Sequence, residues 1–147
     1  MKNLNLLNAL DKAMAETAEQ LFFQELSEMH KENVNDVFGN GDFLVEVNIV
    51  EPFKARLYFL YEQKFAEQMV TEMLGEVIDS HKQLIDGLKE LSNTIAGKFM
   101  ANYIQDQQFR IGLPNFKSFS GKTKLPFEQI CNYFFDETKI GVALQPE

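Results

Sequence analysis

A carboxylate, a carboxamide and a glycine share one face of a predicted helix, and this pattern is the one in the chain best suited to chemistry. Glu90, Asn93 and Gly97 are spaced by three and four residues, so they lie on one side of a helix, with Asp86 beside them. A carboxylate pairs with cations, a carboxamide both donates and accepts hydrogen bonds, and a glycine leaves the backbone open to close approach. This face can therefore bind a partner and hold a water molecule.

The opposite side of the same helix is apolar, which explains why the helix packs onto the rest of the chain. Its apolar residues recur at helical spacing and are Leu84, Leu88, Leu91, Ile95 and Phe99. Asp79 or Ser80 is the predicted N-cap, and the helix is predicted to end near Asn102. A glycine inside a helix costs about 1 kcal/mol relative to alanine. Gly97 therefore needs a reason in packing or in partner contact, and the sequence leaves both open.

Length and composition indicate a single domain, residues 1–147. Of the 147 residues 45% are hydrophobic and 24% are charged, the ordinary range of a globular protein. A formal charge of -8 and scattered basic residues argue against a nucleic-acid partner, since phosphate binding needs clustered Lys and Arg. No apolar stretch approaches the roughly 20 residues that span a bilayer, and the polar N-terminus lacks a signal-peptide core. We therefore expect a soluble, cytoplasmic protein with no membrane partner.

Cysteine and histidine, the usual ligands of zinc, are sparse in this chain. Cys131 is the only cysteine, so no intramolecular disulfide can form, and its neighbours Ile130 and Tyr133 favour a small apolar residue in a strand. His30 and His81 are far apart, and neither has a metal-ligand partner at helical spacing. The sequence therefore predicts no cofactor and no metal site in this chain.

The N-terminal half predicts one long helix followed by two strands. Apolar residues at helical spacing begin after Asn5 or Asn8, either of which is the predicted N-cap, and the helix is predicted to fray near 33–35. Two apolar segments, 45–49 and 54–61, predict strands that flank a proline-containing turn. Because their connection is short, we expect an antiparallel hairpin.

The rest of the chain predicts a shorter helix, the helix of Glu90, and further strands. The shorter helix spans 65–73 and is expected to end at Gly75 as C-cap. The C-terminal part is predicted to contain a strand at 109–113, an irregular stretch at 114–126 and a closing hairpin of Gln129–Phe135 with 139–144 around a turn at 136–138. The sum is an α+β fold, an antiparallel sheet with long helices packed on one face.

Four segments of the chain resemble a known family. They are Met73-Leu74-Gly75-Glu76, Glu90-Leu91-Ser92-Asn93-Thr94-Ile95-Ala96-Gly97, Leu113-Pro114 and Gly121. Together they resemble the chemotaxis phosphatase CheX and the related CheC and FliY proteins, which carry a Glu-x-x-Asn helix, and the resemblance covers nearly the whole chain. Glu32 and Asn35 also fit the bare signature but lack these surroundings.

The resemblance implies that the protein removes phosphate from the phospho-aspartate of a CheY-like receiver domain. By resemblance, Glu90 would pair with a receiver lysine and Asn93 would orient the attacking water. Asp86 and Gly97 would belong to the partner contact. Mg²⁺ would be supplied by the receiver, so the chain would need no cofactor of its own. Because an acyl phosphate is already labile, positioning a water can supply much of the acceleration.

Relatives with two active helices repeat the signature in the first helix, and this chain does not. Its first helix contains Glu16 and Glu19, followed by Glu25, without a matching asparagine, so a single site is expected. Position 98 is lysine, where the family commonly has asparagine.

Other functions remain open from the sequence. A non-catalytic receiver-binding or adaptor module would need the same exposed face, and a ligand-sensing domain would need a closed apolar pocket. A homodimer through the sheet edges is also expected, because unpaired strand edges invite pairing.

Overall fold

The computed structural model describes residues 2–135 and 137–147, and in that part of the chain four helices and seven strands follow one another. The helices are α1 (Lys2–Phe22), α2 (Val34–Val37), α3 (Gln63–Leu74) and α4 (His81–Tyr103). The strands are β1 (Glu28–Asn33), β2 (Phe43–Glu51), β3 (Ala55–Tyr61), β4 (Arg110–Ile111), β5 (Asn115–Ser118), β6 (Gln129–Phe135) and β7 (Thr138–Pro146).

All strands join one antiparallel sheet, in the order β1-β6-β7-β3-β2-β4, with β5 also paired to β2. The predicted hairpin of β2 and β3 is confirmed, with Phe43 opposite Tyr61. The closing hairpin is confirmed as well, with Cys131 opposite Val142. Asp136, in the predicted turn, lies outside the described residues. The predicted α+β class with an antiparallel sheet is therefore confirmed.

The three long helices pack on one face of the sheet, as predicted. Helix α4 contacts β2 and is flanked by α1 and α3, and this side forms the larger hydrophobic core. The opposite face is covered by α2 and by apolar residues of the segment 119–127. Strand β3 contributes to both cores, because its apolar run places side chains on both faces.

The first helix is shorter at its C-terminal end than the sequence predicts. It ends at Phe22, and the following Phe23 is left-handed with φ +57. The N–H of Gln24 then donates at 3.0 Å to the carbonyl of Ala18, six positions earlier, and this bond closes the end of the helix. A left-handed residue at a helix end is usually glycine, so Phe23 gives no sequence signal. The predicted N-caps Asn5 and Asn8 are also wrong, because the helix begins at Lys2.

Residues 28–33 form edge strand β1 rather than the end of a helix. They pair antiparallel with β6, with Glu28 opposite Phe134 and Asn33 opposite Gln129. Leu26 and Met29 continue the helical spacing of the first helix toward this segment, and they do so by coincidence. A pairing with a strand about 100 residues away decides the conformation, and local spacing does not record it.

Two short strands replace the predicted strand at 109–113 and part of the predicted irregular stretch. β4 spans only Arg110–Ile111, and β5 forms inside 114–126. Both pair with β2, which is long enough to hold β5 near its start and β4 near its end. Strands of two and four residues are too short for an alternating pattern to identify.

Candidate functional site

Helix α4 begins where the sequence predicts, and two side chains hold its first turn. The Ser80 Oγ accepts the backbone N–H of Gln83 at 3.1 Å, so Ser80 is the N-cap. The Gln83 side chain accepts the N–H of Asp79 at 2.7 Å. These reciprocal bonds resemble a capping box, which satisfies donors that a helix start leaves free. The fixed start helps to determine which residues of α4 face solvent.

Asp86 and Glu90 lie one turn apart on the exposed side of α4, and only Asp86 is paired. Lys82 Nζ donates to Asp86 Oδ2 at 2.6 Å, and this bond lowers the pKa of Asp86. Glu90 is exposed and forms no ion pair or side-chain hydrogen bond with any described residue. The Glu90 carboxylate is thus available to a cation from a partner, whereas Asp86 already has one.

Asn93 lies beside them, partly buried, with an amide that is not engaged. Its Oδ1 is shielded from solvent and has no hydrogen-bond partner among the described residues. An unsatisfied buried acceptor costs about 1–3 kcal/mol, so most such atoms are paired in folded proteins. Nothing in the described fold compensates for this cost. An amide with no partner among the described residues can serve a site, because a change of rotamer that brings its oxygen to the surface would let it accept from a water and donate to a phosphoryl oxygen.

The two glycines of α4 have different surroundings. A Cβ at Gly87 would overlap Val70 Cγ1 and lie 3.0 Å from Val70 Cγ2, so glycine is needed where α3 and α4 meet. A Cβ at Gly97 would meet nothing within 4 Å. The fold therefore explains Gly87 and does not explain Gly97. Of the two reasons left open by the sequence, packing within the described chain is excluded for Gly97, and close approach of a partner remains.

Contacts between α1 and α4 occupy the residues beside this face. Lys98 Nζ donates to Gln20 Oε1 at 2.6 Å, and Asn102 Nδ2 donates to Glu16 Oε1 at 2.8 Å. Lys98 thus contacts α1, so a lysine at this position leaves the exposed face unchanged. Glu16 accepts a hydrogen bond from α4, and the single site stays a prediction.

The second Glu-x-x-Asn pattern does not form a comparable face. Glu32 lies in β1, and its Oε1 accepts from the Nδ2 of the fully buried Asn132 at 2.9 Å. Asn35 lies in the four-residue helix α2. The two residues therefore belong to different elements, and the pattern there is a coincidence of spacing.

Other candidate groups offer no competing centre. Among residues 2–135 and 137–147, no group of three His, Cys, Asp or Glu side chains could hold a metal ion. Burial raises the pKa of Cys131, whereas a reactive thiol needs a lowered one. His30 pairs with Glu28 at 3.0 Å on the exposed edge strand. No described helix combines the length and apolarity that crossing a bilayer requires.

Three cavities of the described chain lie away from the exposed face of α4. The largest of the three, of about 530 Å³, opens to solvent between the start of α1 and strands β6 and β7, with Leu10, Phe99 and Leu144 in its walls. Because it is open, it does not provide the closed pocket that a ligand-sensing domain would need. Glu90, Asn93 and Gly97 line none of these cavities. An exposed helix face without a cavity suits a macromolecular partner better than a small ligand.

One pair of residues beneath this face was not identified from the sequence. Ser92 in α4 and Tyr61 in β3 are both fully buried, and their hydroxyl oxygens are 2.6 Å apart. The available signal was the polar Ser92 on the apolar side of the helix.

Residues 43–129 match the family described as chemotaxis phosphatase CheX. The match covers more than half of the chain and includes all of α4. No curated protein matches the chain by sequence.

Solved structures of chemotaxis proteins share the fold. CheX from Desulfovibrio desulfuricans superposes with a TM-score of 0.74 at 16% identity, covering 97% of this chain and 99% of that one. A CheC-like protein from Shewanella oneidensis MR-1 gives 0.70 at 21% identity, covering 99% of both chains. CheX in the CheX-CheY-BeF3-Mg²⁺ complex from Borrelia burgdorferi gives 0.69 at 15% identity, covering 95% and 96%.

Proposed function

Because the chain belongs to the CheX family of chemotaxis phosphatases, we propose that it hydrolyses the phospho-aspartate of a CheY-like receiver domain. The observation that carries this proposal is the exposed side of α4. There a carboxylate with no partner among the described residues, an amide whose oxygen has none there either, and a glycine under open space share one face of a helix. The Borrelia burgdorferi protein of the same fold, which forms a complex with CheY, supports this choice of partner.

Glu90 is the proposed docking residue. Its carboxylate has no cation among the described residues, and it would pair with a lysine of the receiver. Asp86 lies one turn away and would contribute weakly to the contact, because Lys82 already neutralises it. Gly97 would lie under the receiver, where the missing side chain permits close approach.

Asn93 is the proposed catalytic residue. On docking, its side chain would turn so that the shielded Oδ1 reaches the surface, accepts a hydrogen bond from the attacking water and holds that water in line with the bond to phosphorus. An amide suits this position because it is uncharged, whereas a carboxylate would repel the phosphoryl dianion. The receiver would supply Mg²⁺, which neutralises charge on the phosphoryl oxygens. The contribution of this chain would therefore be positioning, which suits an acyl phosphate that is already labile.

The direct test measures phosphate loss from the phosphorylated receivers of the source organism, with and without the protein. We expect faster loss from at least one receiver at catalytic concentrations of the protein. Binding to a receiver carrying beryllium fluoride, a stable mimic of the aspartyl phosphate, is measured in parallel. Tight binding with an unchanged decay rate would replace the phosphatase with the adaptor module. If the protein neither binds any receiver nor accelerates its dephosphorylation, both functions are contradicted.

Alanine at Gly97 should stabilise the protein and weaken its complex with the receiver. The substitution removes the helix penalty of glycine, about 0.5–1 kcal/mol, and the new methyl group enters open space. That methyl group would then separate the helix from a docked receiver. Denaturant unfolding and affinity for the beryllium fluoride-loaded receiver measure the two effects.

Gly87→Ala is the matched control for this prediction. The same change there overlaps Val70, and overpacking costs about 1–3 kcal/mol, so we expect lower stability with no specific loss of receiver affinity. Equal receiver affinity of Gly97→Ala and the wild type would contradict the proposed role of Gly97.

A homodimer and a cytoplasmic location stay predictions. The edges available for pairing are β1 at one side of the sheet and the short β4 and β5 at the other.

A further inference from the structure

A buried hydrogen-bond chain connects the sheet to α4 directly beneath the proposed site. Tyr61 is the last residue of β3, and its hydroxyl oxygen lies 2.6 Å from Ser92 Oγ. Ser92 Oγ also lies 2.8 Å from the Leu88 carbonyl oxygen, one turn back along the helix. A serine hydroxyl has one proton, which Ser92 donates to Leu88. The Tyr61 hydroxyl therefore donates to Ser92.

The Tyr61–Ser92–Leu88 hydrogen bonds place polar groups in an interface between the sheet and α4 that is otherwise mostly apolar. Apart from the buried tyrosines, the fully buried polar residues among those described are Thr17, Ser92 and Asn132, and of these three Ser92 lies in α4. The phenol of Tyr61 stays protonated at neutral pH, because burial raises its pKa. Alanine at position 92 would fill the same place without any polar group. The serine is therefore not needed to fill the core, and its contribution is a directional hydrogen bond.

A directional bond is important here because apolar packing alone restrains the position of a helix on a sheet less tightly than packing together with a hydrogen bond. The hydrophobic effect is non-directional, so a helix can rotate or slide slightly while its leucines stay buried. A hydrogen bond has a narrow range of length and angle, and it is stronger in a low-dielectric interior. The bond from β3 to the middle of α4 restricts the rotation and the height of the helix where Asn93 lies, whereas the bonds of Lys98 and Asn102 to α1 hold the C-terminal part of the helix.

We propose that Tyr61 and Ser92 are positioning residues for Asn93. The inference rests on the proposed function, since it concerns the geometry in which Asn93 meets the receiver. Ser92 and Asn93 are consecutive, with Cα atoms about 3.8 Å apart, so a shift of one moves the other. Misplacement of a catalytic group by about 1 Å can cost about 100-fold in rate.

A double-mutant cycle tests the proposal with Tyr61→Phe, Ser92→Ala and the double variant. Tyr61→Phe should lower kcat about 10-fold and leave affinity for the beryllium fluoride-loaded receiver nearly unchanged. Ser92→Ala should also lower stability, because it leaves the buried Tyr61 hydroxyl without a partner. The double variant has no unpaired hydroxyl, so its stability should return toward that of the wild type while kcat stays low. If kcat recovers together with stability, the pair is structural and the proposal is wrong.

Tyr133→Phe is the matched control. Tyr133 is also fully buried, and its hydroxyl donates to Asp11 Oδ1 of α1 at 2.6 Å, so it connects the sheet to a different helix. We expect this variant to lose stability and keep the wild-type kcat. An equal fall in kcat for Tyr133→Phe and Tyr61→Phe would indicate general loosening of the fold and overturn the assignment.

Failure of the proposed function is detected separately, because the wild-type protein would then not accelerate the dephosphorylation of any receiver. The positioning effect is then measured from the Asn93 side-chain amide signals in heteronuclear NMR spectra of the free protein. These signals should shift in Tyr61→Phe and in the double variant, and remain in place in Tyr133→Phe. Unchanged Asn93 signals in Tyr61→Phe overturn the inference whether or not the protein is a phosphatase.

Discussion

Replacing Asn93 with alanine should lower the rate of receiver dephosphorylation about 100-fold and make the fold slightly more stable. The rate falls because the amide proposed to orient the water is removed, and loss of an oriented group costs about that factor. Stability rises because the substitution deletes an unsatisfied buried oxygen and places a better helix former in α4. Single-turnover phosphate release and denaturant unfolding measure the two quantities. Opposite signs for rate and stability are typical of a site residue.

Asn102→Ala is the control for this prediction, since it changes the same residue type in the same helix. Asn102 donates to Glu16 and packs against α1, so its loss should lower stability by about 1 kcal/mol and leave turnover intact. Asn93→Asp tests the chemistry further, because it keeps the size of the side chain and introduces a charge that repels the dianion. An Asn93→Ala variant with wild-type turnover would show that another group positions the water.

Replacing Glu90 with lysine should raise the apparent KM for the phosphorylated receiver at least about 30-fold, with a smaller effect on kcat. The substitution removes an attractive contact and places like charges together, which costs about 2–5 kcal/mol at a close charge pair. In the folded protein alone the cost is small, because Glu90 is exposed and pairs with no described residue. Initial rates over a range of receiver concentrations separate KM from kcat.

Glu19→Lys is the control for the charge change. Glu19 is exposed on α1, and its substitution raises the net charge by the same amount. It should leave KM close to the wild-type value. A second experiment measures KM for the Glu90→Lys variant with receivers in which single surface lysines are changed to glutamate. One of these receiver variants should restore KM to near the wild-type value. Equal KM values for Glu19→Lys and Glu90→Lys would remove Glu90 from the contact.

The site was visible in the sequence because its parts are local. Glu90, Asn93 and Gly97 lie within eight residues of one helix, and helical periodicity is enough to place them on one face. Their availability is local as well, because Lys82 precedes Asp86 by four residues, a spacing at which helical ion pairs form, and no basic residue has that spacing to Glu90. The structure confirms the Lys82–Asp86 pair and shows no partner of Glu90 among the described residues.

The glycines of α4, by contrast, are distinguished only by the tertiary structure. In the sequence Gly87 and Gly97 are equivalent helix interruptions, each carrying the same intrinsic cost. Val70, which distinguishes them, is 17 positions before Gly87 and belongs to another helix. Whether a glycine is required by packing depends on a neighbour that no local pattern identifies.

By itself the sequence determined the α+β class, the antiparallel hairpins, the capped helix α4 and its amphipathic face, and it carried the family resemblance. These features depend on spacing, capping and turn residues within a few positions of one another. The tertiary structure decided where α1 ends, that 28–33 is a strand, which glycine is free and how Tyr61 holds Ser92. Each of these depends on contacts between distant segments or on a backbone conformation, such as that of Phe23, with no residue preference to mark it. The residues of the proposed site thus lie close together in the sequence of α4, whereas the position of that helix depends on the whole fold.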